Sequence, residues 1–164
     1  MINHKIYVKR RRQDVGRGFH IPLIRRCVRA ALDAEGVDIP CEVSVLITDD
    51  KGIQAINKQH RNIDAPTDVL SFPLQNLKAG EFCADEREIS PETGLLPLGD
   101  IVVSSDRVYA QAEEYGVTHD REMAYLIIHS VLHLLGYDHM DEGEQKKAMR
   151  DREKVILRGV GYKA

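Results

Sequence analysis

The chain has little with which to cross-link itself or enter a membrane. Its 164 residues include three cysteines, Cys27, Cys41 and Cys83, which are far apart and form no C-x-x-C pair. That pattern suggests neither a disulfide framework nor a thiolate metal site, and small buried hydrophobes are the ordinary reading. No apolar run reaches the ~18 residues that a membrane span needs. The segment MINHKIYVKRRR lacks the apolar core of a signal peptide. A cytoplasmic protein that contacts no membrane is therefore expected. Internal repeats, low-complexity tracts and composition breaks are lacking too. One domain over residues 1–164 is expected, long enough to bury a core without staples.

Charge of one sign is scarce at one end. The net charge is only −3, yet residues 1–30 carry nine Lys or Arg against a single acid, Asp14. A segregated basic surface attracts polyanions even on a chain of net negative charge. The competing reading is a solvated strand end and helix face. Residues 81–92 hold five acids, Glu81, Asp85, Glu86, Glu88 and Glu92, and read as an exposed irregular loop.

Periodicity supplies the elements. IYVKR (6–10) and CEVSVLI (41–47) alternate as strands, and TDVLSFPL (67–74) and LGDIVVSS (98–105) read as two more. Ile24, Cys27, Val28, Ala31 and Leu32 recur at helical spacing between Pro22 and Gly36, a first-turn proline and a stop. Thr48 or Asp49 caps a short helix to about His60. Further helices are expected over 106–115, from Thr118 through MAYLIIHSVLHLL, and from an Asp141/Glu144 capping box to about Arg158. The fold class is α/β (α+β), with about four strands and about five helices.

What the chain does have is IIHSVLHLLGYDH (127–139), three histidines inside a helix that is apolar nearly all round. His129 and His133 are four apart, so they share one helix face about one turn apart. Gly136 can take a positive φ, end the helix and turn the chain back, bringing His139 to the same point. Three neutral imidazoles suit one zinc ion and leave a fourth position for water, although other divalent ions also accept such ligands. A site of that kind favours hydrolysis. Burying these rings among leucines without a metal leaves polar atoms unpaired at ~1–3 kcal/mol each. His4, His20, His60 and His119 lack this spacing and read as surface or local residues.

The pattern H-x-x-x-H-x-x-G-x-x-H is similar to the zinc motif of metzincin peptidases, but Ser130 stands where those carry a glutamate base. A hydroxyl is no proton acceptor near neutral pH without help. A non-catalytic assembly factor that uses the metal structurally is the other alternative. Asp138 either orients a ligand or merely forms the turn.

HSVLHLLGYDH resembles the signature of the YbeY family, bacterial metal-dependent endoribonucleases of ribosomal RNA maturation. Asn57, Arg61, Asp64 and TDVLSF (67–72) resemble a second block of that family, and LGDIVVS (98–104) a third. Ser130 departs from the glycine often found there. The resemblance covers nearly the whole chain. It implies a small mixed sheet packed with helices, and zinc held by His129, His133 and His139. It also implies cleavage of single-stranded RNA in maturing the 3′ end of small-subunit ribosomal RNA, and a part in ribosome quality control. The partners it implies are ribosomal RNA and the small ribosomal subunit. Arg61 matches the family's functional arginine, and a guanidinium can bind two phosphate oxygens at once. Read without the family, Arg61 is a surface residue paired with Asp64. Thr67 and Asp68 are candidates for ordering the loop that carries Arg61, Ser71 for facing the cleft, and Asp100 for a structural polar residue opening its strand.

Overall fold

Alternating apolar residues build the sheet first. In the computed structural model, which describes residues 2–138 and 143–163, the strands are β1 (Lys5–Arg10), β2 (Cys41–Thr48), β3 (Val69–Pro73) and β4 (Leu96–Ser104). Their order across the sheet is β1-β2-β4-β3. β1, β2 and β4 run parallel, while β3 is antiparallel to β4 and forms an edge. The α/β fold expected from the sequence is observed, a mixed four-stranded sheet with five α-helices among the described residues.

One face of the sheet carries the main core. Val43, Val45, Ile47, Leu96, Leu98, Ile101 and Val103 are buried there against helices α1 (Ile21–Ala34) and α4 (His119–Leu134). The expected stripe of α1, from Ile24 to Leu32, is fully buried. Each fully buried Val, Leu or Ile among them contributes roughly 1.5–3 kcal/mol. α4 is buried along almost its whole length, from Glu122 to Leu134, because it packs on α1, α3 (Ser105–Tyr115), α5 (Glu144–Gly159) and the sheet together. The opposite face carries a smaller cluster, Ile53, Leu70 and Val102, under α2 (Asp50–Arg61).

Helix starts follow local chemistry. Asp49, not Thr48, caps α2, its side chain accepting from the Gly52 N–H at 2.8 Å. Thr118 opens α4 as expected, accepting from Arg121 at 3.1 Å. Asp141 of the anticipated capping box lies outside the described residues, and Gly143 precedes the first turn of α5. The acidic stretch is largely exposed, as anticipated, but contains one 3₁₀ turn at Glu86–Glu88. β4 starts at Leu96, two residues before the expected point, because Leu96 and Pro97 already pair with β2.

Candidate metal centre

Two imidazoles converge at the C-terminal end of α4. The Nε2 atoms of His129 and His133 are 3.0 Å apart. The other nitrogen of each ring faces an oxygen. His133 Nδ1 lies 2.8 Å from the Tyr137 carbonyl, and His129 Nδ1 lies 3.4 Å from Glu153 Oε1. A carbonyl and a carboxylate only accept, so in the neutral rings both protons sit on Nδ1. Both Nε2 atoms then present lone pairs to one another. Two lone pairs at that separation repel unless a cation lies between them, and unprotonated imidazole nitrogen is a zinc donor. The residues present therefore fit a divalent ion.

The turn after α4 is built as the glycine suggested. Gly136 takes φ +100. Its N–H bonds to the His133 carbonyl and the Tyr137 N–H to the Leu132 carbonyl, the paired pattern of a glycine-terminated helix. A Cβ at Gly136 would lie 2.2 Å from the Leu77 carbonyl oxygen, so the segment that follows β3 packs directly on the turn. The Tyr137 hydroxyl donates to Glu35, and Arg152 Nε donates to the second Glu35 oxygen at 2.7 Å. Burial, reinforced by the Glu35 carboxylate, pushes the Tyr137 phenol up to about 12. His139, the third expected ligand, lies outside the described residues. Among the described residues no three His, Cys, Asp or Glu side chains gather to hold an ion.

The rings open onto a cleft of about 610 Å³, a size suited to a small ligand or a piece of a larger one. Arg61, Thr67, Asp68, Ser71 and Asp138 share its walls with both histidines. Alternation along β3 turns Val69, Ser71 and Pro73 toward the cleft and Leu70 and Phe72 toward α2. Ser71 thus lines the cleft as anticipated. Arg61 ends α2, its guanidinium 6.0 Å from the Phe72 ring centre and 3.5 Å from the Ser71 carbonyl. The alternative partner, Asp64, is taken by Lys58 and Gln54 instead. Among the described residues Arg61 forms no ion pair and is the one Lys or Arg lining this cleft.

Other anticipated residues find different places. Thr67 and Asp68 cap the start of β3, Asp68 accepting from Val69 N at 2.7 Å. The loop after Arg61 is fastened by buried Asn57, which donates to the Ala65 carbonyl at 2.9 Å. Asp100 sits in the middle of β4, exposed, because the strand begins earlier than the motif suggested. His4 is not a surface residue; it is buried, and its Nδ1 accepts the Cys41 N–H. Ser130 is fully buried, away from the cleft, which removes it from any peptidase chemistry. The basic residues of the N-terminal segment belong to β1, α1 and their connection. β1 is the sheet edge opposite β3, about 14 Å away at three strand spacings. Several of them serve the fold, Arg12 pairing with Asp49 and Arg25 and Arg26 donating to backbone carbonyls.

Two functional candidates escaped the sequence reading, Glu153 and Tyr125. Tyr125 lies one turn before His129 on α4, and its ring stacks on that imidazole at 6.0 Å. Burial, together with the nearby Glu153 carboxylate, pushes its pKa well above the usual phenol range. The available signal was an acid at a core position, since Met149, Glu153, Ile156 and Leu157 form the buried stripe of α5.

The family model described as Endoribonuclease YbeY matches residues 7–161. Similar proteins named Endoribonuclease YbeY include one from Lachnoclostridium phytofermentans, 46% identical over 140 residues, 82% of this chain and 84% of the relative. One from Roseiflexus sp. is 46% identical over 139 residues, covering 85% and 82%. One from Caldicellulosiruptor saccharolyticus is 48% identical over 120 residues, 73% of each chain. The fold is similar to the solution structure of TM1509 from Thermotoga maritima, at TM-score 0.61 and 25% identity, covering 94% of this chain and 88% of that one.

Proposed function

The chain belongs to the endoribonuclease YbeY family, and from that premise we propose that it cleaves single-stranded RNA with zinc held by His129, His133 and His139. The RNA is ribosomal, the event is maturation of the 3′ end of small-subunit ribosomal RNA, and the partner is the small ribosomal subunit. The setting is the cytoplasm, in keeping with a chain in which no described helix is long and apolar enough to cross a membrane.

The observation that supports this reading best is the facing pair of Nε2 atoms in a cleft whose other wall carries Arg61. A divalent ion held there supplies positive charge that polarises a phosphate oxygen and acidifies water. The chain's own residues do the remainder. His133 is kept in one tautomer by the Tyr137 carbonyl, so its donor nitrogen stays turned into the cleft. Arg61 offers two parallel N–H groups to the non-bridging oxygens of the scissile phosphate, where negative charge grows during cleavage. Its own ion-pair capacity is not spent on Asp64. Thr67 and Ser71 give the cleft wall hydroxyls for the sugar and phosphate oxygens on either side.

The test is cleavage of a short RNA spanning the 3′ end of small-subunit ribosomal RNA, offered single-stranded and as a duplex. Cutting of the single strand alone, abolished by a chelator and restored by zinc, is the expected result. Cutting that survives exhaustive chelation, or equal cutting of the duplex, refutes the reading.

A further inference from the structure

The second oxygen-bearing partner of the histidine pair is a buried carboxylate on a separate helix. We propose that Glu153 is a positioning residue for His129, holding its ring in the tautomer and orientation that aim Nε2 at the ion, with Tyr125 completing the arrangement. This rests on the reading of His129 and His133 as metal ligands.

Three observations carry it. First, Glu153 Oε1 is 3.4 Å from His129 Nδ1, the nitrogen opposite the one that faces His133. An acceptor at Nδ1 keeps the proton there and makes Nε2 the ligating nitrogen. Second, the carboxylate is buried, with 8% of its side chain exposed, and among the described residues no Lys or Arg pairs with it. A buried carboxylate without a cation is costly. The neighbouring Arg152 turns instead to Glu35 at 2.7 Å, so the side chain that Glu153 faces is the His129 imidazole. Third, the Tyr125 ring stacks on His129 at an interplanar angle of 28°, and its phenol is close enough to Glu153 for that carboxylate to raise its pKa. The imidazole is thereby held from two sides, by the Glu153 carboxylate at Nδ1 and by the Tyr125 ring against its face.

The arrangement also gives α5 a purpose. Its residues 152 and 153 reach the two ends of the site, Glu153 to His129, and Arg152 through Glu35 to Tyr137, whose carbonyl holds His133. Metal binding should therefore stabilise the docking of α5 on α4.

The experiment titrates the metal-free full chain with Zn²⁺ against a chromophoric chelator, in the wild type, Glu153→Gln, Glu153→Met, Tyr125→Phe and His129→Ala. Glu153→Met keeps the bulk and removes the acceptor; it should bind zinc about 10–100-fold more weakly. Glu153→Gln, which keeps a neutral acceptor, and Tyr125→Phe should fall between it and the wild type. Nitrogen-15 shifts of His129 in the metal-free chain should move toward the Nε2-protonated form in Glu153→Gln, a readout that merely structural support would not alter and that serves if the Met variant does not fold. Wild-type affinity in Glu153→Met, or unchanged affinity together with an unchanged His129 tautomer in Glu153→Gln, overturns the proposal. Failure of the underlying reading looks different: the wild type binds no zinc, or His129→Ala binds it as tightly, and both ideas fall together.

Discussion

His133 Nε2 lies 3.0 Å from His129 Nε2, while the Nδ1 of His133 is already bonded to the carbonyl of Tyr137, four residues on. One helical turn and the turn that follows it thus set the spacing of the pair and the tautomer of His133. The consequences extend to residues that never touch the rings.

Gly136 is the first. Its φ of +100 and the 2.2 Å that a Cβ would leave to the Leu77 oxygen permit no side chain. Gly136→Ala should cost at least about 2 kcal/mol. Thermal unfolding of the metal-free chain checks this, and zinc affinity should fall in the same variant because the Tyr137 carbonyl is displaced. A neutral Gly136→Ala would mean that the turn does not hold the ring.

The Glu35 clamp is the second. Tyr137→Phe removes one donor from a carboxylate whose side chain is only 6% exposed, leaving Arg152 as its partner. A loss of roughly 1–2 kcal/mol is expected by denaturant unfolding. Arg152→Met should cost more, since it strands a buried charge.

Arg61 makes no ion pair among the described residues, so its replacement should spare the fold. Arg61→Ala is expected to lower kcat for RNA about 10²–10³-fold with little change in the unfolding midpoint. Arg61→Lys should recover little, because a single ammonium cannot reproduce the two-pronged contact. Equal loss of stability and rate would place Arg61 in the scaffold instead.

Glu122 gives a pH signature. It is buried on α4, and burial raises its pKa, opposed by nearby Arg121 and reinforced by nearby Asp68. A carboxyl whose folded pKa exceeds its unfolded value of ~4.3 supports the fold below that value and loses this support as pH rises through the folded pKa. Glu122→Gln should therefore be more stable than the wild type at neutral pH. The advantage should shrink as pH falls and vanish below about 4. An advantage independent of pH would contradict burial of the charge as its cause.

Much of this was readable in advance where the physics is local. The apolar stripe of α1, the capping Thr118 and the all-round apolar α4 are patterns within one segment, and each stands where the sequence put it. Non-local choices were not readable. Nothing in TDVLSF says that β3 is an antiparallel edge rather than a parallel strand. Leu96 and Pro97 join β4 only because β2 lies beside them, which moves Asp100 to mid-strand. Within the site, the i and i+4 histidines were legible from spacing alone. Glu153 was not, since it reaches His129 across 24 residues and through the docking of another helix. Asn57, not Thr67 or Asp68, ties down the loop after Arg61 for the same reason, a contact across the loop to a backbone carbonyl.

The central claim, that one divalent ion is shared by His129 and His133, is tested most directly by zinc stoichiometry on purified full chain, wild type against His133→Ala. The account predicts one zinc per wild-type chain, and loss of that ion from a variant whose far-UV helix signal is unchanged. One zinc retained in His133→Ala, or none in a wild type supplied with excess metal, would contradict it.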